Sequence, residues 1–309
     1  MMRQKTLKEP FTLSSKGLHT GLHMTATFMP AEVNHGLKIQ RVDLEEQPII
    51  NCDARLVGET QRGTVLVSDE IKVSTIEHAM AALLAAGVDN CLIQLDGPEM
   101  PIMDGSAYYW TKEIQRVGVK EQDAMRDYLV IDRVIEVEGQ HGERMKIEPA
   151  DHFSLEVTTD FGSSILGKMT ATLDNFADFP EEISSARTFV FVREIEPLLQ
   201  MGLIKGGDLG NAIVIYEVEL TQERFNALTD KLGVSHMDAK QLGYLNPKPL
   251  TWKNETTRHK LLDVVGDLAL IGCPLIGKVT AYKPGHAINN VFSRAIMKYR
   301  EEKKGVDIL

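Results

Sequence analysis

The sequence lacks several features that would place it in a special class of protein. No segment has the roughly 18 consecutive apolar residues that a membrane-spanning helix needs, so we expect no stable membrane insertion. The first residues, MMRQKTLKEPFTL, lack the apolar core and the small-residue cleavage site of a signal peptide. The three cysteines, Cys52, Cys91 and Cys273, are isolated, which argues against a disulfide framework or a cysteine-based zinc site. These absences predict a globular protein of the cytoplasm.

An excess of basic residues is also missing. Lys and Arg number 34 against 44 Asp and Glu, which gives a net charge of -10 and disfavours nucleic acid as a partner. The chain has no short repeat and no low-complexity tract, and its 43% hydrophobic and 25% charged residues are ordinary for a globular protein. With 309 residues it is long for a single core, so two domains are expected.

Periodicity predicts the same order of elements twice along the chain. HMTATFMP (23–30) alternates apolar and polar residues as a half-buried strand does, and helices are predicted at about 74–86 and 106–117. The polar stretch 119–127 is predicted to be the junction between the domains; after it strand-like runs return, followed by helices at about 256–272 and from HAINN onward. We therefore predict an α+β fold of two similar domains, 1–124 and 125–309, each with a sheet covered by helices.

The clearest chemical signal lies in RHKLLDVVGDLALIG, within the predicted helix 256–272. At about 100° per residue, His259, Asp263 and Asp267 share one stripe roughly 80° wide, whereas the leucines and valines fall elsewhere. A His and a carboxylate at i and i+4 can reach one metal ion, although a solvated polar face has the same pattern. The stripe holds no Lys or Glu, and its flanks are too apolar for a helix lying wholly at the surface, which favours the metal site.

STIEHAMAALLAAG (74–87) offers two interpretations. Ser74 and Glu77 match a capping box, in which the glutamate reaches back to the helix start. Alternatively, His78 is a metal ligand and the side chain of its neighbour Glu77 points to the water on that metal.

His286, in AYKPGHAINN, begins the last predicted helix. It is either an ordinary helix-start residue or a general acid. A helix N-terminus disfavours an imidazolium, so the second role needs an anionic partner, for which Asp267 is the candidate. Two histidines and one aspartate as ligands would leave an open position on the metal, as in catalytic rather than structural zinc sites.

Taken together, the motifs closely resemble the UDP-3-O-acyl-N-acetylglucosamine deacetylases, the zinc enzymes of the committed step of lipid A (lipopolysaccharide) synthesis. The matching stretches are GLHTG (17–21), STIEHAMAAL (74–83), VDNCLIQLDGPEMPIMDGSA (88–107), ARTFVF (186–191), KGGDLGNAIV (205–214), RHKLLDVVGDLALIG (258–272) and TAYKPGHAINN (280–290). The resemblance covers nearly the whole chain and implies two domains, each with a sheet on a pair of helices, and an active site between them. It places a βαβ-like insert at about 189–217 that forms an apolar passage for the acyl chain.

The resemblance also implies roles for individual residues. The implied metal ligands are His78, His259 and Asp263, and the implied catalytic residues are Glu77 as general base, His286 as the protonated group, Asp267 as its partner and Thr188 near the tetrahedral oxygen. Implied substrate contacts are Lys260 and Lys283 at the diphosphate, Asp160 and Phe161 at the uridine, and His19, Gly207, Phe189, Ile195 and Asn289. Lys260, beside His259, is expected to point away from the metal stripe.

The implied cofactor is one Zn²⁺ per chain, with Fe²⁺ as an alternative, and the implied substrate is a UDP-linked acylated amino sugar. Val190 stands where many relatives have Gly, which is expected to alter the mouth of the passage. Some relatives are fused to a β-hydroxyacyl dehydratase domain, and the end KKGVDIL is interpreted as the boundary before such a domain. Two other hypotheses stay open: a zinc amidohydrolase acting on another N-acetylated sugar, and a non-catalytic sugar-nucleotide binding module.

Overall fold

The computed structural model describes residues 2–68 and 71–306 and has a mixed α+β fold, as the sequence predicted. Within those residues the α-helices are α1 (Glu77–Ala85), α2 (Tyr108–Val117), α3 (Phe179–Glu182), α4 (Val192–Gln200), α5 (Gln222–Leu232), α6 (Glu255–Ala269) and α7 (His286–Val306). The strands are β1 (Arg3–Leu7), β2 (Phe11–Lys16), β3 (His23–Pro30), β4 (Leu37–Arg41), β5 (Ile49–Asn51), β6 (Val57–Glu59), β7 (Val65–Val67), β8 (Lys72–Val73), β9 (Cys91–Leu95), β10 (Val119–Met125), β11 (Leu129–Val130), β12 (Ile135–Glu138), β13 (Arg144–Glu148), β14 (Ser154–Asp160), β15 (Lys168–Leu173), β16 (Phe189–Phe191), β17 (Ile213–Tyr216), β18 (Gly243–Tyr244), β19 (Leu275–Ile276) and β20 (Lys278–Tyr282).

Two five-stranded sheets share one topology. The first has the order β2-β3-β9-β4-β5 and the second β12-β13-β20-β14-β15. In each, the last strand along the chain is central and pairs parallel with one neighbour, β4 or β14, whereas all other pairs are antiparallel. The repeated order of elements in the sequence therefore corresponds to a repeated sheet.

Helices α1 and α6 pack against each other, α2 packs on α1 and β2, and α6 and α7 contact the second sheet. Apolar side chains from both sheets and from these helices form one continuous core. Because α1 and α6 are the principal contact between the two halves, the side chains at their crossing are drawn out of water.

A smaller sheet, β16-β17-β18, stands beside this core. Strands β16 and β17 pair in parallel through the connecting α4, which makes a βαβ unit. No helix is predicted from the sequence directly after β17, yet α5 lies there and the sheet continues antiparallel to β18. Among the described residues, no helix combines the length and the apolar composition that crossing a membrane requires.

Two stretches contain local structure that the sequence did not predict. The polar stretch 119–127, predicted as the junction between the two domains, contains β10, which pairs antiparallel with β1. Its charged side chains can alternate with half-buried ones because this two-stranded ribbon is solvated on one face. The helix predicted from Ser74 begins at Glu77, because Ser74 forms a β-bridge with Glu99 and its hydroxyl donates to the Pro98 carbonyl (3.2 Å).

Candidate metal centre

The site lies where α1 and α6 cross, and Gly266 makes that close approach possible. A Cβ at Gly266 would lie 2.1 Å from the backbone oxygen of Glu77 and 2.8 Å from its carbonyl carbon. Only a residue without a side chain allows the two helices to come this near, so Gly266 sets how closely Glu77 and His78 approach α6.

We predict that Gly266→Ala destabilises the protein, although alanine is favoured over glycine within a helix by about 1 kcal/mol. The new methyl group meets backbone atoms that cannot move aside as a flexible side chain can, and such overpacking typically costs about 1–3 kcal/mol. We therefore expect a net loss of this order in the free energy of unfolding, measured by denaturant titration. Gly285→Ala is the matched control, since a Cβ there meets nothing within 4 Å. Equal stability of the two variants would contradict the proposed packing.

Three buried side chains converge at the crossing. His259 and Asp263 lie one turn apart on α6, and His78 reaches them from α1. One ligand atom from each lies within 4.8 Å of the other two. Asp263 Oδ1 is 3.4 Å from His259 Nε2 and 3.8 Å from His78 Nε2, so the three face a common point without hydrogen bonding to one another.

The hydrogen bonds around these three residues prepare them for a cation. The Nδ1 of His259 lies 3.0 Å from the Ala186 carbonyl, which requires Nδ1 to carry the proton and leaves the Nε2 lone pair free. Among the described residues, Asp263 Oδ1 is buried without a hydrogen-bond partner, a state that is costly unless an ion compensates it. Such an orphaned acceptor facing two imidazoles fits a metal ion.

The protonation states agree with that interpretation. Burial lowers the pKa of His78 to about 3, and burial likewise lowers the pKa of His259. Burial opposes ionisation of Asp263, but the positive charges near it, that of Lys260 among them, prevail and hold its pKa well below the usual range. Two neutral imidazoles and one carboxylate are the forms in which these side chains bind a metal.

Lys260 does not point away from the metal stripe as the sequence predicted. Its Nζ donates a hydrogen bond to Asp263 Oδ2 (2.8 Å) and lies 5.7 Å from the centre of the Phe189 ring. The prediction was wrong because a residue three positions before another on a helix is its neighbour, and the long lysine stem turns toward the carboxylate.

The contacts of Glu77 decide whether its carboxylate caps the helix or faces the candidate metal centre. No side chain caps α1, and the Glu77 carboxylate instead accepts a hydrogen bond from the Thr64 amide (3.1 Å). The capping box is therefore absent. Burial, reinforced by the negative charge of Asp263 and opposed by His286, raises the pKa of Glu77 to about 7.

His286 faces Glu77 across the site. Its Nε2 lies 3.9 Å from Glu77 Oε1, and its Nδ1 lies 3.0 Å from Asp267 Oδ2 and 3.1 Å from the Thr64 hydroxyl. Burial would lower the pKa of His286, but the carboxylates, with Asp267 foremost, outweigh it and raise the pKa to about 9. Despite its place at the start of α7, the surrounding carboxylates therefore favour the protonated form of this imidazole.

A cavity of about 940 Å³ opens beside these groups. The sequence-predicted residues that line it are His19, Glu77, His78, Phe161, Thr188, Phe189, Ile195, Gly207, His259, Lys260, Asp263, Lys283 and His286. The remaining three do not line it. Asp160 lies at the rim, 3.6 Å from Lys283 Nζ. Asp267 and Asn289 lie behind His286, where the Asn289 amide donates to Asp267 Oδ2 (2.8 Å).

Sequence reasoning missed two groups of the site. Thr64 donates a hydrogen bond through its amide to Glu77 and through its hydroxyl to Asp267, the partner of His286. It therefore connects Glu77 with the Asp267–His286 pair. The Ala186 carbonyl orients His259. A lone threonine in a loop carries no periodic signal, and a backbone carbonyl carries none at all.

An α+β fold with two imidazoles, a carboxylate and a flanking pair of oppositely tuned acid–base groups fits the class of metal-dependent hydrolases. The family model described as UDP-3-O-acyl N-acetylglycosamine deacetylase matches residues 4–231 and 234–298. The chain belongs to this family.

Curated relatives agree with the family. The chain is 57% identical over 299 residues to a bifunctional enzyme LpxC/FabZ of Bacteroides thetaiotaomicron and 52% identical to one of Porphyromonas gingivalis. In both cases the match covers 96% of this chain and 65% of the relative, so the chain spans somewhat less than two thirds of their length. It is also 41% identical to a UDP-3-O-acyl-N-acetylglucosamine deacetylase of Myxococcus xanthus, over 95% of this chain and 86% of that protein.

Proposed function

We propose that this protein hydrolyses the acetamide of UDP-3-O-acyl-N-acetylglucosamine, releasing acetate and UDP-3-O-acyl-glucosamine for lipid A synthesis in the cytoplasm. The observation that carries the proposal is the convergence of His78, His259 and Asp263 with Glu77 and His286 at one wall of a large cavity. Membership of the deacetylase family supports the substrate.

His78, His259 and Asp263 would hold a single Zn²⁺, or Fe²⁺ in the cell. Two imidazoles and one carboxylate suit either ion. When bound, the ion supplies a Lewis acid for the amide carbonyl and lowers the pKa of water.

Glu77 and His286 divide the proton transfers between them. Glu77, with its pKa near 7, accepts the proton of the attacking water. His286 enters as the imidazolium, stabilises negative charge on the carbonyl oxygen and gives a proton to the departing amine, which leaves poorly without one. Asp267 keeps His286 protonated and oriented, and Thr188 offers a hydroxyl at the cavity wall.

Cavity residues away from the metal centre suit the rest of the substrate. Lys283 and Lys260 supply positive charge for the diphosphate, which a net charge of -10 over the whole chain does not prevent. Phe161 and Asp160 stand near Lys283 at the rim and suit the uridine. The apolar side chains of Phe189 and Ile195 suit the acyl chain.

The proposal is tested by measuring acetate release from the acylated UDP-sugar and from free N-acetylglucosamine. We expect turnover of the former to exceed that of the latter by at least about a hundredfold in kcat/KM, because remote binding energy is realised at the reacting amide. Equal rates would indicate a hydrolase for another amide. Binding of the UDP-sugar without acetate release, unaffected by a chelator, would indicate a non-catalytic binding module.

A further inference from the structure

We propose that helix α5 closes the far end of the acyl passage and that Leu228 and Leu232 set the length of the acyl chain that the site accepts. This inference rests on the proposed function. The helix lies after the βαβ unit to which the sequence assigned the passage.

The two sides of the β16-β17-β18 sheet identify where the passage runs. Val190 and Val214 are opposite each other in the β16–β17 register and therefore point to the same face. Both line the cavity, together with Ile195 of α4. Their face of the sheet is thus the floor of the passage, and α4 forms part of its cover.

The floor ends abruptly two residues farther along β17. Tyr216 points to the same face as Val214 but is fully buried and does not line the cavity. Phe225 of α5 stacks on it, with ring centres 4.4 Å apart and planes 20° apart. The space above Val214 is therefore open, whereas the corresponding space above Tyr216 is filled by α5.

The same helix presents two leucines to the open part. Phe225, Leu228 and Leu232 recur at the helical spacing of one face. Phe225 is buried on Tyr216, whereas Leu228 and Leu232 are half-buried and line the cavity. Lys231 of the same helix also lines the cavity, but the two leucines give the wall apolar volume, and volume is what stops a hydrocarbon chain.

The wall is held firmly in place. Thr221 caps the start of α5 through its side chain, and Gly233 ends it in the left-handed conformation (φ 68°). The Tyr216 hydroxyl accepts a hydrogen bond from the Leu220 amide and donates one to the Ala239 carbonyl, both at 2.8 Å. These hydrogen bonds attach the segments on both sides of α5 to the strand beneath it. Moving α5 aside to admit a longer chain would therefore break them.

The test compares kcat/KM for a series of acylated UDP-sugars that differ only in acyl length. Leu228→Ala and Leu232→Ala should shift the optimum to longer chains, with a gain of roughly fourfold for each methylene newly buried (about 0.8 kcal/mol). Leu228→Phe should shift the optimum to shorter chains. Leu242→Ala is the matched control, because Leu242 is 41% exposed and does not line the cavity.

The outcomes separate this inference from the proposed function. Absence of metal-dependent acetate release from every substrate by the unaltered protein would refute the proposed function itself. An unchanged length profile in both alanine variants and in Leu228→Phe, with deacetylation retained, would overturn only the role of α5. Equal loss on short and long chains would also overturn it, because it would make the leucines structural rather than selective.

Discussion

A Glu77→Gln variant is expected to lose deacetylation by about 10²–10⁴-fold in kcat, the usual contribution of a positioned general base. Glutamine keeps the volume of the side chain and an oxygen for the Thr64 amide, but it cannot take a proton from water. We expect KM and metal content to remain close to those of the unaltered protein, as measured by steady-state kinetics and elemental analysis.

The control for this substitution is Glu59→Gln, which removes the same charge from an exposed ion pair with Lys72 and should leave the rate unchanged. Activity of Glu77→Gln within threefold of the unaltered protein would show that the base lies elsewhere. Loss of bound metal in this variant would instead make Glu77 a ligand or a structural support.

Removal of the metal is expected to abolish deacetylation completely, and one equivalent of Zn²⁺ should restore it. Metal binding should also stabilise the fold, since it compensates the buried Oδ1 of Asp263, by about 4 kcal/mol at free Zn²⁺ one thousand times above its dissociation constant. Thermal unfolding with and without Zn²⁺ measures this effect independently of activity.

Asp263→Ala should remove both responses, so that neither the rate nor the unfolding temperature depends on Zn²⁺. Asp127→Ala is the control, because Asp127 is an exposed carboxylate paired with Arg300 at the surface. If Asp263→Ala still bound one equivalent of Zn²⁺ and gained the same stability, these three side chains would not be the metal site.

Local patterns were sufficient for the part of the site that lies on one helix. His259, Asp263 and Asp267 were assigned to one stripe from spacing alone, and α6 does place them on one side. The prediction of the α+β fold was confirmed for the same reason: alternating and helical periodicities recur in order along both halves of the chain.

Other predictions failed where long-range contacts decide. The polar pattern of 119–127 did not indicate a strand, because β10 forms only by pairing with the N-terminal strand β1. The amphipathic pattern of α5 is present in the sequence but did not indicate a helix there. Its apolar face is short, and only its packing on Tyr216 shows which side is buried. The direction of Lys260 depended on a carboxylate one turn away that attracts it.

The sequence by itself determined the family, the fold class and the set of chemical groups, because motif order and the 3.6-residue period are properties of the chain. Only the tertiary structure decided that Glu77 turns from its helix end toward Thr64, that Asp267 lies against His286 and raises its pKa, and that α5 packs on Tyr216. Each of these depends on groups far apart in sequence. Their distances and pKa values arise only when packing, through contacts such as that at Gly266, brings them together and excludes water.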